Sequence, residues 1–261
     1  MKRTLISPNL SEFPSELRHL LEGVRVYDSS CSPEARVYYI ERDGGLFLKV
    51  NQKGALKTEA LLHSYFSSLH LTSELLAYQS LEHDYMLTRR VKGEDCTHPS
   101  YLDDPKRLVD TLAERLRMLH ETDFSACPVS DRMSSYFSLV EENHRTGNYD
   151  TSHFPDSFGY RSAEDAYAMV ERARETLTSR VLLHGDYCLP NIMLDNWNLT
   201  KFIDLGNGGV GDRHVDLFWG AWTLGFNLGT DKYRQRFLDA YGRDKVDEEI
   251  IKIVAAAEVF G

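Results

Sequence analysis

Two short stretches constrain this chain more than anything else in it: His184-Gly185-Asp186-Tyr187-Cys188-Leu189-Pro190-Asn191, and Phe202-Ile203-Asp204-Leu205-Gly206 soon after. Short apolar runs flank them, Val181-Leu182-Leu183 before the first and Ile192-Met193-Leu194 and Lys201-Phe202-Ile203 between the two. Runs of that length, bounded by turn-forming residues, read as strands. The pattern therefore sets Asp186 and Asn191 on one loop and Asp204, 18 residues after Asp186, at the end of the next hairpin. An amide and two carboxylates converging in this way offer hard oxygen donors, which magnesium prefers. Phosphoryl transfer needs that metal, an in-line nucleophile and a carboxylate to receive a proton. A lone aspartate on a loop is usually a turn former, so the reading rests on the combination.

The chain ahead of this block is β-rich at first. Val24–Tyr27, Arg36–Ile40 and Leu46–Val50 read as strands, with Asp43-Gly44-Gly45 as a hairpin turn between the last two. A helix is expected over Ala55–Leu69 and a second strand pair near Leu75–Tyr78 and Tyr85–Thr88. Lys49 ends a strand and Glu59 follows ten residues later on the helix, an order in which a carboxylate can aim an ammonium at nucleotide phosphates. Beyond Val91 the chain turns helical: Pro105 opens a helix with Leu108, Leu112, Leu116 and Leu119 on one face. Further helices are expected near Ser134–Glu142, Glu164–Thr178, Val215–Leu224, Lys232–Ala240 and Asp247–Phe260, with a polar loop over Thr146–Gly159. The fold class is α+β, and the domain boundary falls in Thr88–Glu94, giving a nucleotide-binding lobe 1–90 and a catalytic and substrate-binding lobe 91–261.

Composition narrows the partners. With 40 acidic and 30 basic side chains the formal net charge is −10, which disfavours nucleic acid and anionic membrane and suits cationic partners. No run approaches about 18 apolar residues, so no membrane span is expected. The opening Met1–Pro8 has no signal-peptide apolar run, and Cys31, Cys96, Cys127 and Cys188 form no C-x-x-C pair, so a cytoplasmic protein without zinc or disulfides is expected.

The sequence resembles the aminoglycoside phosphotransferases of the kanamycin-kinase type, which have a two-lobed protein-kinase-like fold. The resemblance covers essentially the whole chain. It rests on Ile6-Ser7-Pro8, Ser32–Tyr38, Leu46–Lys49, Leu119-His120-Glu121-Thr122-Asp123, His184–Asn191, Ile203–Gly206 and Glu258-Val259-Phe260. It implies Asp186 as catalytic base and Asn191 and Asp204 as Mg2+ ligands. Lys49 would contact the α- and β-phosphates of ATP (or GTP), oriented by Glu59. Ser32 would cover the phosphates, Phe47 would stack on adenine, and the Thr88–Val91 linker would meet the adenine edge. Glu258 would bind a small cationic acceptor such as an aminoglycoside antibiotic.

The acceptor side departs from the family. Trp219, Trp222 and Phe226 stand where the family places polar and charged groups, Ala257 replaces an acid, and Gly261 follows Phe260, which displaces a terminal carboxylate. The insertion loop offers Asp150, Asp156, Glu164 and Asp165. Trp219 and Trp222, at i and i+3, share a helix face and are expected in the core. His184 and Asp216 are expected to brace the loop, and Cys188 to be a small loop residue. The alternatives are a kinase for another hydroxylated amine or sugar, a nucleotide-binding pseudokinase-like module, and a dinucleotide enzyme built on Gly206-Asn207-Gly208-Gly209-Val210-Gly211. The last is disfavoured because Asp204, just before the glycines, would repel a pyrophosphate, and Asp231 follows no clean parallel strand. No Walker motif occurs.

Overall fold

Alternating burial runs through the first third of the chain and builds a six-stranded antiparallel sheet. The structure, a computed structural model, describes residues 3–31, 35–150 and 160–261. Ser32 and Asp156 lie outside the described residues. In chain order the elements are β1 (Thr4–Ile6), α1 (Ser15–Leu21), β2 (Val26–Asp28), β3 (Arg36–Ile40), β4 (Leu46–Gln52), α2 (Lys57–Ser68), β5 (Leu75–Ser80), β6 (His83–Arg89), β7 (Glu94–Asp95), α3 (Pro99–Leu102), α4 (Pro105–His120), α5 (Arg132–Thr146), α6 (Ala163–Ala173), β8 (Val181–Leu183), β9 (Ile192–Asp195), β10 (Asn198–Phe202), β11 (Gly209–Gly211), α7 (His214–Leu228), α8 (Arg234–Gly242) and α9 (Glu248–Ala257). They form two compact units: Met1–Asp95 with Ile192–Gly206, and Cys96–Asn191 with Asn207–Gly261.

In the first unit the strand order is β1-β2-β3-β4-β6-β5. The β3–β4 hairpin turns at Asp43-Gly44-Gly45, all with positive φ, and pairs Ile40 with Leu46. Period-two alternation along β4 buries Leu46 and Leu48 in a cluster with Phe13, Leu17, Ile40 and Leu87. The same alternation puts Phe47 and Lys49 together on the opposite face. The α2 helix packs against β5, and Leu56, Ala60 and Met86 close a second small cluster. The β9–β10 hairpin belongs to this unit and pairs with β7. Its two-residue turn, Asn196-Trp197, takes positive φ at both positions, as a hairpin with native strand twist requires. The Phe202 amide donates to the Leu71 carbonyl at 2.8 Å, and the Thr72 hydroxyl donates to the Phe202 carbonyl at 2.7 Å. These bonds fix the end of β10 two residues before Asp204.

The second unit is mainly helical. Pro105 occupies the first turn of α4, and the Asp104 side chain caps it by accepting from the Arg107 amide. Leu108, Leu112, Leu116 and Leu119 are all fully buried, each worth about 1.5–3 kcal/mol of apolar burial. The α4 helix packs on α7 and α8, and α9 packs on α6 and α7. The expected helix over Glu164–Thr178 is shorter as an α-helix: α6 ends at Ala173 and a 3-10 turn covers Arg174–Thr176. The α5 helix runs to Thr146, inside the stretch expected as loop. The glycine run does not precede a dinucleotide-type helix; Gly209–Gly211 is β11, paired antiparallel with β8. No helix among the described residues is long and apolar enough to cross a membrane.

Candidate active site

Lys49 is the hub of the candidate residues in the first unit. Its Nζ donates to Glu59 at 3.0 Å (Oε1) and 2.8 Å (Oε2), and to Asp204 Oδ1 at 2.9 Å. The pair expected from strand-then-helix order is therefore formed, and Asp204, 155 residues away, joins it. Burial works against the charge on Lys49, but the Glu59 and Asp204 carboxylates outweigh it and hold its pKa above that of an ordinary lysine. Burial also raises the Glu59 pKa, which the Lys49 ammonium partly offsets. Asp204 follows β10 in the left-handed region, with φ of 59°, and its side chain is 53% exposed. Phe47 lies on the same face of β4 as Lys49, with its ring 5.2 Å from that of Tyr39. Thr88 is buried inside β6, in register with Phe47 and Leu75, and Val91 is buried just past the strand.

The loop of the second unit that carries Asp186 leaves β8 at His184. Gly185 has φ of +84°, and a Cβ there would lie 1.8 Å from the Asn207 carbonyl oxygen, so only glycine fits. Asp216 on α7 holds the loop from below. Its Oδ2 accepts the His184 amide at 2.8 Å and its Oδ1 the Gly185 amide at 2.7 Å. His120, the last residue of α4, bonds Asp216 Oδ2 at 3.0 Å through Nε2 and the Tyr241 hydroxyl at 2.8 Å through Nδ1. Burial lowers the His120 pKa, with Asp216 opposing the shift. His184 Nδ1 accepts the Asp186 amide at 3.3 Å, the loop-shaping bond expected of it.

Further along the loop, Tyr187 is fully buried and donates its hydroxyl to the Leu112 carbonyl at 2.8 Å. The Leu189 amide donates to Thr223 Oγ1 at 3.2 Å, and the Leu189 carbonyl accepts the Cys96 amide at 3.2 Å. Thus pinned, Asn191 donates its amide to the Asp186 carbonyl at 3.0 Å and to Asp186 Oδ2 at 2.8 Å. The Asp186 carboxylate is thereby fixed, and Asn191 keeps Oδ1 as its remaining acceptor. Burial raises the Cys188 thiol pKa, which leaves it unreactive, as expected of a small loop residue.

Asp186 and Glu258 line one cavity of about 250 Å³, together with Tyr136, Arg132 and Trp219. Glu258 opens the 3-10 turn Glu258–Phe260 after α9. Phe260 is fully buried, its ring edge-on to those of His144 and Tyr167, and its carbonyl accepts Asn143 Nδ2 at 2.7 Å. That anchor holds Glu258 in place, and Tyr136 donates its hydroxyl to Glu258 Oε1 at 2.8 Å. Burial raises the Glu258 pKa to about 7, against the lowering effect of hydrogen bonds from Tyr136 and Trp219.

Several acceptor-side expectations change. Trp219 and Trp222 are half-buried cavity wall, not core. Ala257 is fully buried in the helical core and lines neither cavity. Glu164 and Asp165 are exposed in the first turn of α6, and Asp150 lines a second cavity. Sequence reasoning missed Tyr136, Arg132 and Thr223. Their only local signal was a helical stripe, and their partners lie far along the chain.

Comparison with known proteins agrees with this chemistry. Residues 33–250 match the model of the phosphotransferase enzyme family. A Lactococcus lactis protein named "Probable aminoglycoside 3'-phosphotransferase" is 46% identical, with 97% of each chain covered. The aminoglycoside 3'-phosphotransferase of Niallia circulans is 29% identical over 68% of this chain and 67% of its own. Among solved structures, an aminoglycoside-3'-phosphotransferase of type VIII superposes with a TM-score of 0.77 at 24% identity, covering 96% of each chain. A Streptomyces rimosus aminoglycoside phosphotransferase in complex with ADP and streptomycin superposes at 0.70, with 23% identity over 85% of this chain and 90% of its own. The fold is the expected α+β, protein-kinase-like one. This chain belongs to the phosphotransferase enzyme family.

Proposed function

We propose that the chain transfers the γ-phosphoryl group of ATP (or GTP) to a hydroxyl of an aminoglycoside, with Asp186 as the base. The observation that carries this is the fixed Asp186 carboxylate, held at 2.8 Å by Asn191 on the wall of a cavity that also contains Glu258. Asp186 accepts the proton of the acceptor hydroxyl while the new oxygen–phosphorus bond forms and the bond to the β-phosphate oxygen breaks. Lys49, kept charged by Glu59, binds the α- and β-phosphates. Phe47 stacks on adenine and the backbone at Thr88–Val91 meets its edge. Ser32 caps the phosphates.

Asn191 and Asp204 each offer an oxygen of the kind magnesium takes, and the ion would fill the rest of its shell from phosphates and water. The Asn191 amide nitrogen is spent on Asp186, so its oxygen is left as a ligand, and Asp204 is exposed at the strand end. Asn191 and Asp204 would be the protein ligands of magnesium, which when bound would supply positive charge to the nucleotide phosphates. Positioning and charge neutralisation carry most of the rate. A nucleotide-consuming enzyme of this kind acts in the cytoplasm. The homologues named for aminoglycosides support that acceptor class over other hydroxylated amines.

The test is a coupled ADP-release assay with kanamycin A. Wild type is expected to turn over, and Asp186→Asn to lose turnover by about 10²–10⁴-fold, the range of a general base, with nucleotide affinity unchanged. ADP release absent from wild type across an aminoglycoside panel overturns the activity, and a small loss in Asp186→Asn removes Asp186 from the base role.

A further inference from the structure

An aromatic wall stands beside the cavity that holds Asp186. A second cavity of about 370 Å³ shares Trp219 and Glu258 with the first and adds Tyr149, Asp150 and Trp222. Among the described residues, no lysine, arginine or histidine lines it. Trp219, Trp222 and Phe226 follow one another along one side of α7. The Trp219 and Trp222 rings meet edge to face at 5.4 Å and 85°, and Trp222 stacks on Phe226 at 5.2 Å and 13°. Phe226 is 72% exposed and itself lines neither cavity. Glu258 sets the orientation of this series, because the Trp219 side chain hydrogen-bonds to its carboxyl group. Tyr149 is held from the other side by its edge contact with the buried Phe260 ring at 5.5 Å, and the Asp150 amide donates to the Val259 carbonyl at 3.2 Å.

Rigid π faces beside two carboxyl groups are complementary to an alkylammonium group. The negative faces of indole rings attract cations, and tryptophan does so most strongly. We propose that Trp222, with Trp219 and Tyr149, is a cation–π wall. It receives an ammonium-bearing ring of the acceptor, away from the hydroxyl that meets Asp186. Aromatic faces would thus supply recognition at positions where carboxylates are absent. This proposal rests on the aminoglycoside reading of the neighbouring cavity.

The experiment is calorimetric binding of kanamycin A to the full chain, with steady-state ADP release in parallel, for wild type, Trp222→Phe and Trp222→Leu. A cation–π contact is worth about a 3- to 30-fold change in affinity between exposed and desolvated settings. Trp222→Leu, which keeps an apolar side chain but has no π face, is expected to weaken kanamycin A binding and raise its KM within that range. Its kcat and its KM for ATP should stay unchanged, and Trp222→Phe should restore most of the loss. Equal losses in Phe and Leu show a shape contact and overturn the wall as a cation site, as does unchanged binding in Leu. Wild type that neither binds nor phosphorylates any aminoglycoside overturns the acceptor reading and the wall with it. Wild type that does both, with an indifferent Trp222→Leu, overturns the wall alone.

Discussion

Asp216→Asn isolates the part of the site that positions without touching substrate. The Asp216 carboxylate takes the His184 amide and His120 on one oxygen and the Gly185 amide on the other, all fully enclosed. Asparagine keeps one acceptor oxygen. With that oxygen turned to His184 and His120, its NH₂ group faces the Gly185 N–H, donor against donor. A charge-assisted hydrogen bond worth about 1.5–3 kcal/mol is lost, and an enclosed donor left unpaired costs about 1–3 kcal/mol. These overlap, so the net is about 2–4 kcal/mol, a large share of the roughly 5–15 kcal/mol that stabilises a folded domain. The readout is the urea midpoint with its slope, where a shift at constant slope reports stability alone. Turnover should fall as well, because Asp186 lies one residue beyond Gly185 and a displacement near 1 Å costs on the order of 100-fold. The KM for ATP should hold. A midpoint within about 0.5 kcal/mol of wild type, together with unchanged kcat, would falsify the claim that Asp216 sets the loop, and would shift that role to the Tyr187 and Leu189 anchors.

Two further outcomes follow from the same geometry. Gly185→Ala should yield little folded protein by circular dichroism and melting, since its Cβ would fall 1.8 Å from the Asn207 carbonyl oxygen at a positive φ; a wild-type melting temperature would refute that fit. Burial raises the Glu258 pKa to about 7, so the folded state binds a proton there that the unfolded state releases near pH 4.5. Stability contributed at this position is full below about pH 4.5 and declines as pH rises to about 7, and a denaturant series should show that slope flattened in Glu258→Gln. The same ionisation should lower the KM for a cationic acceptor as pH rises through about 7, and the variant should lose that trend.

What the sequence made legible was local. The β3–β4 hairpin followed from Asp43-Gly44-Gly45 between two alternating runs, and α4 from a leucine stripe behind Pro105. The Lys49–Glu59 pair needed only strand-then-helix order over ten residues. The bonds that finish the site span much longer distances. Tyr136 meets Glu258 across 122 residues and His120 meets Asp216 across 96, and no periodicity within a helix encodes such a meeting. The tryptophans show a different limit. The core side of α7 carries Val215, Phe218, Ala221 and Leu224, while Trp219, Trp222 and Phe226 form a second apolar side. A helix apolar on two sides has no pattern to say which one meets the core, so the i, i+3 spacing of the tryptophans pointed to the wrong neighbour.

The same limit applies to charge. A net charge of −10 points toward cationic partners, but among the described residues the carboxylate side chains lining the two cavities are those of Asp150, Asp186 and Glu258. Glu164 and Asp165 sit in the first turn of α6, where negative charge favours the helix N-terminus, and the position of Ala257 is enclosed in the core. Among the described residues, the acidic side chains facing the cavities beside Asp186 are Asp150 and Glu258, and Glu258 has a pKa raised to about 7. Among the described side chains, a polycation bound here near neutral pH meets Asp150 and a partly protonated Glu258 besides Asp186. The half-buried indoles of Trp219 and Trp222 border the same cavity and offer attraction that does not depend on ionisation.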